Sequence, residues 1–63
     1  MKVNRQKLEI AMARACMNIN AIAQKAVMPR PTVNNALTGR NIKPGTAGRI
    51  AAALGVDVTE IIE

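Results

Sequence analysis

The stretch NINAIAQKAVMPRPTVNNALTG, Asn18 to Gly39, decides how the chain is read. It divides around Val27, Met28 and Pro29 into two short helical segments. Asn18 can cap the first, in which Ile19, Ile22, Ala23 and Ala26 recur at the i, i+3, i+4, i+7 spacing of one buried face. Ala23 is small and central on that face, so another helix can cross it closely. The residue before a proline is steered out of the helical region, so Met28 and Arg30 are expected to be extended or in a turn. Pro31 suits the first position of the second helix, where its missing N–H costs nothing. That helix carries Val33, Ala36 and Leu37 inward and leaves Thr32, Asn34 and Asn35 on other faces. Gly39 stands where a left-handed terminator is expected.

Working outward, Asn4 to Ala15 reads as an earlier helix. Leu8, Ala11, Met12 and Ala15 share one face, and Asn4 is its candidate cap. Cys16 is expected to sit as a small buried hydrophobe in the elbow that follows. Beyond the central stretch, Thr38 to Lys43 forms a basic loop. Pro44 suits the first turn of a fourth helix, Ala47, Ile50, Ala51 and Leu54 give its buried stripe, and Gly55 ends it. Asp57 can cap a last short helix, with Glu60 three residues on as its capping-box partner and Val58, Ile61 and Ile62 as its apolar residues. There is no strand alternation, linker or repeat. The expected architecture is all-α: five short helices around one core, a single domain over residues 1–63 with its central helix pair at about 18–38.

Sixty-three residues allow one small domain and a modest core. With no aromatic residue, that core must come from Leu, Ile, Val, Ala and Met. Nine basic residues against four acidic ones leave a net charge of +5, and their distribution says more than the sum. Glu9 is the only acid before Asp57, so Arg14, Lys25, Arg30, Arg40, Lys43 and Arg49 follow one another without a counter-charge. A one-sign field of this kind favours a polyanionic partner, although a plain solubilising surface has the same composition.

Exclusions are as informative. One Cys cannot make an internal disulfide, and without His no metal cluster is expected. No cofactor or small-molecule ligand is evident. The basic start, Lys2, Arg5 and Lys7, is followed by no apolar leader-like run, and no segment approaches the ~20 apolar residues that span a bilayer. A cytoplasmic, nucleoid-associated protein is the expectation. Catalysis is not expected, since the central region holds no acid pair and no nucleophile beside a base. Single-strand binding is disfavoured because no aromatic side chain exists to stack on bases.

The central stretch resembles the helix-turn-helix of the phage Cro and repressor (Xre-like) family. That pattern places a small residue in the first helix, here Ala23, and a β-branched residue ten positions on in the second, here Val33. Ile22 and Ala36 match its flanking apolar positions. Gly39, a basic loop and then Ile50-Ala51-Ala52-Ala53-Leu54-Gly55-Val56 extend the likeness to about residues 4–62. Two positions depart from it. The turn position usually held by Gly is Val27, a β-branched residue that rarely takes positive φ, so the turn is expected to be built differently. The first residue of the first helix, often a Gln that touches phosphate or braces the second helix, is Ile19.

The resemblance implies a lambda-repressor-like DNA-binding domain of a small phage or mobile-element regulator, with the helix starting near Arg30 entering the major groove of double-stranded DNA. Arg30 is then a base reader, since a guanidinium can bond guanine bidentately. Thr32, Asn34 and Asn35 join it, because Asn pairs with adenine, Thr touches a base or a thymine methyl, and two adjacent Asn lack a folding motive in a short helix. Asn18, Asn20, Lys25, Thr38, Arg40, Asn41 and Lys43 are candidate phosphate contacts, which set register rather than read sequence. Such domains commonly act as homodimers on inverted half-sites, and Val56, Val58, Ile61 and Ile62 are the candidate dimer surface. The leading expectation is a sequence-specific transcriptional repressor. The alternatives are a protein-interaction module on the same fold, of antitoxin or antirepressor kind, and a basic membrane-active peptide, against which the capped, interrupted helices argue.

Overall fold

The computed structural model describes all residues from Met1 to Glu63 and contains four α-helices. They are α1 (Arg5–Ala15), α2 (Ile19–Ala26), α3 (Arg30–Leu37) and α4 (Pro44–Leu54). The fifth expected helix is only a single 3-10 turn, Val58–Glu60. Its Asp57/Glu60 capping box forms as expected, but the Ile61 N–H already bonds the Val58 carbonyl at 3.1 Å and the chain then extends. The extension has a partner. Val3 bridges Ile62 and Lys2 bridges Asn41, both antiparallel, so the first residues are laid between the α3–α4 loop and the C-terminal end. Three backbone bonds hold them there: Asn4 N–H to the Ile61 carbonyl (2.8 Å), Ile42 N–H to that of Met1 (2.8 Å) and Glu63 N–H to that of Lys2 (3.2 Å).

Each α-helix ends in the same way. A residue in, or just before, the left-handed region turns the chain, and two N–H groups fold back onto the last carbonyls, the 6→1 and 5→2 pattern of a Schellman terminus. In α3 these are Arg40 N–H to Asn35 O and Gly39 N–H to Ala36 O, with Gly39 at φ +83°. In α4 they are Val56 to Ala51 and Gly55 to Ala52, with Gly55 at φ +72°. Helices α1 and α2 use Cys16 and Val27 in that role, both at φ +55°. Two expectations are corrected here. The α2–α3 turn keeps the glycine-type geometry with a valine in it, and Cys16, as the exposed terminator of α1, is not a buried hydrophobe.

At the helix starts, Asn4 and Asn18 cap as expected: their Oδ1 atoms accept from Lys7 N–H (3.0 Å) and Ala21 N–H (2.8 Å). Arg30 departs from expectation, since it opens α3 as a helical residue, with Pro29 as the extended N-cap (ψ 146°) and Pro31 second in the helix. The pre-proline restriction disfavours helix without forbidding it. A proline in the first turn still sacrifices no helical bond.

The core gathers Val3, Leu8, Ile22, Val33, Ile50 and Ile61 as its largest fully buried side chains. Ala11, Ala23, Ala26, Ala36, Ala51 and Ala53 are the small residues that let the helices approach. Helix α2 is central, packing against both α3 and α4. Leu37 and Ile19, expected on inward faces, are only half-buried.

Candidate nucleic-acid interface

Helix α2 presents its N-terminus and α3 its first turns to a common groove. Asn18 and Asn20 line it from α2, Arg30, Pro31 and Asn34 from α3, with Met12, Ile19 and Leu37 as its apolar floor. No acidic residue lines it. Arg30 does not hang free: its Nη1 donates to Asn20 Oδ1 at 2.9 Å. Asn20 therefore braces the start of α3, next in sequence to Ile19, which cannot. The backbone N–H groups of Ile19 and Asn20 have no acceptor within the chain, so they are free for an oxyanion at the positive end of α2.

The remaining candidates divide. Asn34 is exposed on α3, whereas Thr32 and Asn35 are half-buried and line no part of this groove. Thr38 caps the end of α3, its Oγ1 donating to the Asn35 carbonyl at 3.1 Å. Arg40, Asn41 and Lys43 are exposed in the loop that follows, with Asn41 bridged to Lys2 and Lys43 standing before the first turn of α4. Lys25 lies apart, in a hollow between α2 and α4 lined also by Arg49, Ala26, Ala52 and Ala53.

Charge separates along the molecule. Glu9 pairs with Arg5 (2.9 Å) and Glu60 with Arg14 (3.8 Å), so acids meet cations on α1 and at the C-terminal end. Lys25, Arg30, Arg40 and Lys43 have no carboxylate partner. At Asp57 the Thr59 hydroxyl, then its backbone N–H, hold the carboxyl below the ordinary value of 3.8. It lies outside the groove.

One contributor was invisible in the sequence. Arg49 of α4 reaches the end of α2, where its Nη2 donates to the carbonyls of Ala26 (2.6 Å) and Val27 (2.9 Å). Its partners lie 23 and 22 positions away, and they are backbone groups that no side-chain pattern marks. The only sequence signal was that Arg49 is the one charged residue between Lys43 and Asp57.

Of the proposed dimer residues, Ile61 is fully buried and belongs to the monomer core, while Val56, Val58 and Ile62 are half-buried. Ile10, 56% exposed, lines a hollow beside Val56. No helix is long and apolar enough to cross a membrane.

Comparison with known families matches the chain to the helix-turn-helix family HTH_3 over residues 10–61. Neither the curated proteins nor the solved structures provide a match. The family match runs from within α1 through the 3-10 turn, so it includes the groove, its brace and the basic loop. The chain therefore belongs to the Cro/Xre-type helix-turn-helix family of DNA-binding regulators.

Proposed function

We propose that this protein is a sequence-specific repressor that lays α3 in the major groove of double-stranded DNA. The convergence of Asn18, Asn20, Arg30 and Asn34 on one acid-free groove carries this reading. In it, Arg30 and Asn34 bond base edges, with Thr32 and Asn35 flanking them. Asn18, the free N–H groups of α2, Arg40, Asn41, Lys43 and Thr38 meet phosphates on either side. Lys25 contributes to the field more than to the clamp, because it sits in the α2–α4 hollow. Asn20 has two parts to play, orienting Arg30 and lying close to the same backbone.

Binding as a homodimer on inverted half-sites fits the size of the domain. Reading heads about 34 Å apart sit about 17 Å from the dyad, and the longest dimension here is 22 Å. Copies must then meet at an end remote from α3. Val56, Val58 and Ile62, joined by Ile10, supply apolar surface for that contact.

The test is fluorescence anisotropy with random and selected duplexes across a salt series. A DNA binder of this kind loses affinity linearly on a log–log salt plot, by about 0.9 log units per phosphate neutralised. Absence of binding to any duplex at micromolar protein and low salt rejects the reading, and favours a protein partner for the same fold.

A further inference from the structure

We infer that Arg49 is a positioning residue for DNA recognition: it fixes the angle of α3 by clamping the turn that precedes it. The inference rests on the DNA-binding reading above. The turn needs such a clamp. Val27 holds φ +55° and ψ +58°. A β-branched side chain is disfavoured in that conformation, which glycine takes freely. The residue is 78% exposed, so little burial offsets the strain.

Hydrogen bonds hold the turn instead, beginning with the Val27 N–H to the Gln24 carbonyl at 3.3 Å. The Met28 N–H bonds the Ala23 carbonyl at 3.0 Å from within the turn. From outside, the Arg49 guanidinium donates to Ala26 O and Val27 O, both on the carbonyl-rich, negative end of α2. Because Arg49 belongs to α4, this contact ties α4 to the C-terminal end of α2, at the turn that leads into α3. Arg49 has no carboxylate partner of its own, so the carbonyls are its only observed acceptors. The Arg30–Asn20 bond closes the same inter-helix angle from the groove side. Thus the entry to α3 is held twice, by the Arg30–Asn20 bond on the groove side and by Arg49 on the carbonyls of the turn that precedes it.

The consequence is specific. A misdirected α3 spoils base contacts, which need alignment, more than phosphate contacts, which tolerate adjustment. Arg49→Met, which keeps an apolar stem and removes the donors, should lower affinity for a duplex enriched from a random pool about 2- to 30-fold more than affinity for a scrambled duplex. The salt slope should stay as it is, since no phosphate contact is lost. Adding Val27→Gly, which removes the strain that the clamp opposes, should restore most of the discrimination.

The experiment measures both duplexes across a salt series for the unaltered chain, Arg49→Met, Val27→Gly and the double variant, each with its thermal unfolding curve. Loss of discrimination at constant salt slope, recovered in the double variant, supports the inference. Equal weakening on both duplexes with a slope reduced by about 0.9 makes Arg49 a phosphate ligand and overturns it. Unchanged discrimination overturns it and leaves the DNA-binding reading standing. Failure of the unaltered chain to bind either duplex overturns both. Should Arg49→Met alone unfold, the double variant is compared with Val27→Gly: equal discrimination supports release of the clamp by glycine, and a uniform loss on both duplexes contradicts it.

Discussion

Arg30 and Asn20 are joined across the α2–α3 angle by a 2.9 Å hydrogen bond from Nη1 to Oδ1. A free arginine side chain must lose its rotamer entropy when it docks on a base. One already held by an amide loses less, so preorganisation supports affinity as well as direction. Both residues are exposed, so the bond itself adds little to stability.

Substitution of this pair separates reading from clamping. Arg30→Ala is expected to cost about 1–3 kcal/mol on the selected duplex, and much less on random DNA. Asn20→Ala should cost less alone, and less again when Arg30 is already absent, because its main effect passes through the guanidinium. Anisotropy titrations of the two single variants and the double variant give the coupling directly. Strict additivity would make Asn20 an independent phosphate contact.

Val27→Gly should stabilise the domain. The left-handed conformation costs an L-residue about 1–2 kcal/mol, and glycine's freedom in the unfolded chain takes back about 0.5–1 kcal/mol. A net gain of about 0.5–1 kcal/mol corresponds to a rise in Tm of about 2–8 °C for a domain of this size. Thermal unfolding followed by circular dichroism measures it. A lower Tm would show that Val27 contributes packing its 78% exposure does not suggest.

Val3→Ala should be costly for a residue so near the chain's start. Val3 is 1% exposed and belongs to the core cluster. Removing two buried methyl groups is expected to cost about 1–3 kcal/mol, a large share of the ~3–5 kcal/mol that so small a core supplies. Urea unfolding should show a lower midpoint with an unchanged slope. A neutral result would mean that the first residues are not packed between Asn41 and Ile62.

The Asp57 turn carries a pH signature. Its carboxyl is held below 3.8 by Thr59, so the charged form is the one the fold favours. That contribution is fully present above the unfolded value and is lost as pH falls through the lower folded one. Relative to Asp57→Asn, the unaltered chain should keep a constant difference in Tm from neutral pH down to about pH 5, and that difference should diminish below 3.8. A difference that instead grew on acidification would contradict the hydrogen-bond assignment.

Most of the fold was legible because it is written in local chemistry. Asn4 and Asn18 cap, Gly39 and Gly55 terminate, and Ala47, Ile50, Ala51 and Leu54 are each buried, as their spacing says. What escaped was non-local or energetically contested. Val3 is a lone apolar residue without periodicity, and its burial depends on a bridge to Ile62 at the far end of the chain. Arg30 lies before a proline yet is helical, because Pro29 already supplies the extended entry. Cys16 and Val27 show that the ending of α1 and α2 outweighs the backbone preference of the residue placed there. In the groove, the types and places of Asn18, Asn20, Arg30 and Asn34 could be read in advance, but the Arg30–Asn20 bond and the Arg49 clamp could not. Both join side chains to partners in other helices.

In the proposed complex the surface from Arg30 through Asn35 lies against base edges. Selection of bound duplexes from a random pool, carried out with the unaltered chain and with Arg30→Ala and Asn34→Ala, tests it most directly. The expected result is a short near-palindromic site for the unaltered chain. Preference for one guanine per half-site should be lost in Arg30→Ala, and for one adenine in Asn34→Ala. Recovery of the same site by all three proteins, or no enriched site at all, would contradict it.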